Sequence, residues 1–198
     1  MPRKTRASTR MSTKLVAYIA IMAALGNALA VVSTSLVKFG WTQVALDLSH
    51  LGTFLAAIPG GAILGCATGA LIGIYPAIYY GPLGWLGILG LALIPGKALT
   101  GLFTGIVQRY LKRPLLSVTI GYVPESIFTF WVFLALVPLF GIVFPIAPLI
   151  VALQIAVKAW IEILFMGFVM ESVFLSRGIV HMLRTIFPNW NYTPLSEL

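Results

Sequence analysis

Charge is what this sequence has least of. Only 9% of its 198 residues are Asp, Glu, Lys or Arg, against about 25% in a soluble globular domain, so a surface facing water all round is excluded. Acidic residues are the scarcest of these: Asp47, Glu125, Glu162, Glu171 and Glu197. Cysteine is nearly absent, with Cys66 alone inside an apolar run, which excludes an internal disulfide and leaves no Cys/His metal spacing. That thiol reads as a small packing residue. The two histidines, His50 and His181, fall on opposite sides of the expected topology and cannot form a dyad, and His50 reads as a polar loop residue. No H-E-x-x-H, G-x-S-x-G or Walker pattern occurs, so the chain cannot hydrolyse ATP by itself. The expectation is a protein that is not an enzyme, with no cofactor and no metal.

What is present is apolar. Hydrophobic residues make up 60% of the chain and the mean hydropathy is +1.01. A net charge of +8 in a soluble protein would point to nucleic acid. Here the basic residues flank apolar runs, and attraction to anionic membrane lipid with orientation of the spans explains them without nucleic acid. Residues 1–14 form a basic tail, 15–187 a membrane domain and 188–198 a C-terminal tail. The run 15–32 is about 27 Å long as a helix, enough to cross the hydrocarbon core. Ala28-Leu29-Ala30 resembles a signal cleavage site, but the apolar run is longer than a signal peptide needs, so it reads as a first span. Further spans follow at 44–58, 61–80, 85–107, 115–137 and 149–173, with the last helix able to continue towards Arg184. The fold class is an all-α integral membrane protein, a bundle of six transmembrane helices. With both termini cytoplasmic, ten basic residues lie inside (Arg3, Lys4, Arg6, Arg10, Lys14, Arg109, Lys112, Arg113, Arg177, Arg184) and only Lys38 outside. That asymmetry satisfies the positive-inside rule.

The stretch from Leu46 to Gly81 organises the rest. It opens on Asp47 in a polar loop, is broken at Pro59-Gly60-Gly61, and then repeats glycine at 61, 65, 69 and 73. Four-residue spacing sets those glycines on one helical face, a groove for a neighbouring helix. Lys97, Glu125, Lys158 and Glu162 lie within apolar spans, where each charge costs about 2.5–3.5 kcal/mol on insertion scales. Counted from the outer loops, Lys97, Glu125 and Lys158 share one layer at about 18–20 Å depth. Gln154, Lys158 and Glu162 share a face at four-residue spacing, as do Glu125 and Thr129. Two readings stand side by side: a self-neutralising lock between helices, or the floor of a polar pocket with Trp41 and Asp47 as upper contacts. Two lysines lean towards an anionic solute. The tyrosines at 75, 79 and 80 read as an interfacial belt.

The chain resembles the substrate-binding S components of energy-coupling factor (ECF) transporters. The likeness is carried by six spans with cytoplasmic ends, Ala20, Ala24 and Ala28 on the first helix, L-D-L-S-H-L at residues 46–51, the glycine-rich third helix, and the run from Ile94 to Gly105. The resemblance implies a binder of a vitamin or related micronutrient in a prokaryotic plasma membrane. Its implied partners are a transmembrane coupling subunit, docked on Ala20, Ala24 and Ala28, and a pair of ATPases. The candidate solute contacts, read from the charges within the spans and from the outer loop, are Trp41, Asp47, Lys97, Glu125, Gln154, Lys158 and Glu162. Two other classes compete: a non-transporting scaffold of the MreD type, and a stand-alone proton-coupled transporter. The topology has a direct test. In a Cys66→Ala background, a cysteine at Lys112 is expected to resist a membrane-impermeant maleimide in intact cells, and one at Lys38 to react; the reverse pattern would invert the orientation.

Overall fold

The structure, a computed structural model, describes residues 13–36, 38–39, 44–45, 47–142, 147–188, 190 and 192. Its helices are α1 (Thr13–Leu36), α2 (His50–Ile72), α3 (Ile74–Tyr80), α4 (Leu93–Leu111), α5 (Pro114–Trp131), α6 (Val137–Leu139), α7 (Pro148–Leu175) and α8 (Arg177–Ile186). A two-residue antiparallel pair, β1 (Lys38–Phe39) with β2 (Val44–Ala45), lies between α1 and α2. Five segments are long and apolar enough to cross a membrane: Thr13–Ser35, His50–Tyr80, Gly87–Leu111, Pro114–Leu139 and Pro148–Leu175.

The second of these is 31 residues long and is not one rod. Gly61 sits at φ 77° and ψ −169°, backbone angles open to glycine and strained for other residues. The chain turns back there. A Cβ on Gly65 would meet the Cβ of Ala57 at 2.6 Å, and one on Gly52 would meet Ile72 Cδ1 at 3.0 Å. In a straight helix those pairs would stand about 12 Å and about 30 Å apart. The Pro59-Gly60-Gly61 break thus divides α2 into two arms, 50–60 and 62–72, and α3 prolongs the second. The first arm begins at His50 and not at 44, because residues 48 and 49 form a turn.

Neighbouring rods alternate in direction. Tyr18 of α1 donates its hydroxyl to the Leu55 carbonyl at 2.7 Å, while Gly26 lies against Ser49. The second arm runs against α4, matching Gly65 to Gly101, Gly69 to Lys97 and Gly73 to Ile94. Along α4 and α5, Thr104 meets Gly121 and Thr100 meets Glu125. Along α5 and α7, Trp160 Nε1 donates to Ser126 Oγ at 3.2 Å, and the Leu115 N–H donates to Glu171 at 2.9 Å. That last contact satisfies one of the open donors at the α5 N-terminus and sets a negative charge on the positive end of its dipole. Six alternating rods return the chain to the side it started from. Lys14, Arg109, Lys112, Arg113, Arg177 and Arg184 all fall at that end, with Lys38 at the other.

Glycine makes this bundle tight. A Cβ on Gly65 would overlap the Gly101 carbonyl, one on Gly69 the Lys97 carbonyl, and one on Gly105 the backbone of Ala62. Two glycine faces therefore interlock backbone to backbone, and the stripe is the packing groove its spacing predicts. Elsewhere two expectations need correcting. The last span does not run on towards Arg184: Ser176 is extended, at ψ 113°, and α8 starts afresh with Val180 and Leu183 buried. Nor is all of 188–198 a loose tail. Tyr192 is buried, stacks on Trp190 with ring centroids 5.1 Å apart, and meets Phe174 edge-on at 5.9 Å. Arg184 holds it by donating to the Tyr192 carbonyl at 2.6 Å.

Replacing Gly69 or Gly101 by leucine is expected to lower stability by about 3 kcal/mol or more, the upper range for overpacking. Gly178→Ala, where a Cβ meets nothing within 4 Å, is expected to be neutral or stabilising by up to about 1 kcal/mol. Thermal unfolding in detergent reads both.

Candidate functional site

The ionisable residues of the apolar spans converge at the end of the bundle opposite the basic one. Their centre is the Lys97 ammonium, one turn into α4 and fully buried. It donates to Asp47 Oδ2 at 2.7 Å, to Ser49 Oγ at 2.8 Å and to His50 Nε2 at 3.2 Å. A lysine has three N–H bonds, and all three are committed. Asp47 uses its other oxygen to accept from the Ser49 N–H at 3.0 Å, an Asx-type turn that caps the entry to α2. Its own backbone N–H donates to Glu162 Oε1 on α7 at 2.9 Å. Glu162 Oε2 faces Lys158 Nζ at 3.1 Å, one turn earlier on the same helix. On α5, Glu125 accepts a short hydrogen bond from the Thr100 hydroxyl of α4.

His50 has two neighbours competing for one nitrogen. Its Nε2 is 3.2 Å from Lys97 Nζ and 3.6 Å from Glu125 Oε1. An ammonium can only donate, so Nε2 accepts and the ring proton sits on Nδ1. The histidine is then neutral, and the longer contact, beyond hydrogen-bond range, is not an ion pair. Nδ1 is buried without a hydrogen-bond partner among the described residues. Phe54 stacks beneath the ring at 5.8 Å and Tyr122 meets it edge-on at 6.0 Å.

Beside this cluster lies a cleft of about 110 Å³ whose walls include Asp47, His50, Trp85, Tyr122, Glu125 and Lys158. Phe133 and Thr129 also line it. Phe133 belongs to a π-helical turn, Val132–Leu136, that continues α5; single π turns of this kind recur at functional sites.

Of the site residues read from the sequence, Asp47, Lys97, Glu125, Lys158 and Glu162 are brought together. Gln154 is on α7 one turn before Lys158 but does not line the cleft, and Trp41 lies outside the described residues. The expected two tiers, with Asp47 above a deeper lysine layer, merge into one. Residues 87–92 form a 3₁₀ turn and α4 starts only at Leu93, so Lys97 lies about 6 Å into its helix. His50, Ser49, Thr100 and Tyr122 were not legible as site residues. Thr100 follows Lys97 by three and so shares its helical face, a signal available in the sequence; His50 heads a buried helix and is not a polar loop residue. Ala20, Ala24 and Ala28 form an exposed strip on α1, opposite its buried residues Ile19, Ala23 and Ala30.

Comparison with known family models, with curated proteins and with solved structures finds no match to this chain.

Burial alone would raise the Asp47 carboxyl, but the Lys97 ammonium overrides it and holds the group well below the usual carboxylate range. A lowered folded-state pKa stabilises fully above the unfolded value and is lost as pH falls towards the folded one. Asp47→Asn is therefore expected to cost a constant increment above about pH 5, shrinking only in stronger acid. Lys97→Met leaves Asp47 without its cation and is expected to cost about 3–5 kcal/mol, part of which Asp47→Leu in the same chain restores. Denaturant titrations in detergent at several pH values check both.

Proposed function

We propose that the chain is the membrane-embedded, solute-binding subunit of an ATP-driven importer of the ECF type, taking up a vitamin-like micronutrient across a prokaryotic plasma membrane. The observation that carries this reading is the cleft. Five ionisable side chains and a neutral histidine gather from the loop before α2 and from α2, α4, α5 and α7, and aromatic rings line the same space. A lock between helices needs no space at its centre, whereas a solute site does. The cleft lies at the end away from the basic turns, which the positive-inside rule assigns to the outer face. Asp47 closes it from above by gripping both α4 and α7.

A binding subunit without nucleotide motifs needs its energy from elsewhere. The exposed strip of Ala20, Ala24 and Ala28 offers α1 to a coupling subunit, because small side chains permit close approach and later release. A second reading has one observation in its favour: Glu125, bonded to Thr100 beside a neutral histidine, is a residue that could carry a proton in a stand-alone transporter.

Uptake reconstituted with an ECF coupling module is expected to need ATP and to stop when an ATPase is inactivated. Ala24→Trp is expected to abolish uptake while solute binding by the purified chain persists. Uptake by the isolated chain driven by a proton gradient would overturn the importer reading in favour of the second.

A further inference from the structure

The charge inventory of the cleft says what kind of solute it takes. Three carboxyls face it or its cluster, Asp47, Glu125 and Glu162, against two ammonium groups, Lys97 and Lys158. The pairing is unequal. Lys97 is bound to Asp47 with every N–H committed, and Lys158 is bound to Glu162. His50 contributes no charge, since its Nε2 accepts from Lys97. Glu125 is left over: among the described residues it has a hydroxyl donor, Thr100, and feels the charge of Lys97, but no lysine or arginine lies within ion-pair distance of it. Both lysines, which on sequence alone lean towards an anionic solute, are already neutralised.

An anion entering this space would meet three carboxyls and only two ammonium groups, both already paired. A cation would bring the balance to zero. Within a buried site like charges are screened far less than in water, so each such contact is unfavourable. The walls favour the same sign. Trp85, Tyr122 and Phe133 line the cleft with Glu125, and Trp85 and Phe133 stand with centroids 6.1 Å apart. Aromatic faces attract cations and stack on flat rings.

We propose that the solute is a ring-sized molecule bearing a positively charged nitrogen group, with the Glu125 carboxylate as its counter-ion and Tyr122, Trp85 and Phe133 around its body. The assignment rests on the reading of the cleft as the solute site. It deepens that reading by giving the solute a sign.

Three probes of nearly one shape separate the possibilities: benzamidinium, benzoate and neutral benzamide, titrated into the purified full-length chain in detergent. Benzamidinium is expected to bind at least about ten-fold more tightly than benzoate. Glu125→Gln is expected to remove that preference, with benzamide as the neutral reference in both proteins. Benzoate bound as tightly as benzamidinium, no ring probe bound at all, or an unaltered preference in Glu125→Gln would each overturn the proposal. The wild-type preference stands as a measurement even if the variant fails to fold. A failure here leaves the import reading untouched, because ATP-dependent uptake is measured without these probes.

Discussion

One ammonium group sets the arrangement of everything around it. Lys97 sits on an apolar helix, where an unmatched charge would be expelled or would break the fold. Its three donors find three acceptors on residues 47–50, so the loop is drawn down into the bundle instead of lying over it. Asp47 then passes the constraint to α7 through its backbone bond to Glu162. A buried cation has thereby ordered a loop and bridged two helices that are distant in sequence. Removing either member exposes the other to the full desolvation cost, which is why such clusters are retained as units.

The glycine faces explain why the ammonium stays where it is. The Lys97 carbonyl lies where a Cβ of Gly69 would be, so the backbone carrying the charge is pressed against the second arm of α2. Interiors packed this closely do not deform gradually. Lys97 cannot move away from Asp47 by a small helix shift. The Asp47 and Ser49 side chains are held to α4, and the Asp47 backbone to α7, by the same set of bonds.

Much of this was legible before any coordinates. The glycine repeat, the Pro59-Gly61 break, the six alternating rods and the gathering of Lys97, Glu125, Lys158 and Glu162 all follow from spacing and from the cost of charge in lipid. What could not be read is of one kind. Depth along an apolar run is counted from Trp85, whereas α4 starts only at Leu93 and Asp47 reaches down to the Lys97 ammonium; this is why the sequence sets the two on separate tiers. The partner of a charge is equally invisible in sequence. Two lysines look like an anion site until one sees Asp47 and Glu162 on them. His50 reads as a loop residue because polarity alone does not show that a helix starts there. Ser176, the N-cap of α8, and Gly178 do signal the boundary between α7 and α8, but weakly beside the long apolar run before them.

The aromatic closure near the end of the chain has a consequence for how the protein is made. Phe187 meets Tyr18 edge-on at 5.1 Å, and Trp190 and Tyr192 pack on Phe174. Residues far apart in sequence therefore complete one another. A chain delivered to the membrane span by span holds the Tyr18 side of α1 unfilled until Phe187 emerges. The Tyr18 side of α1 is therefore completed only after every helix from α2 to α8 has been made.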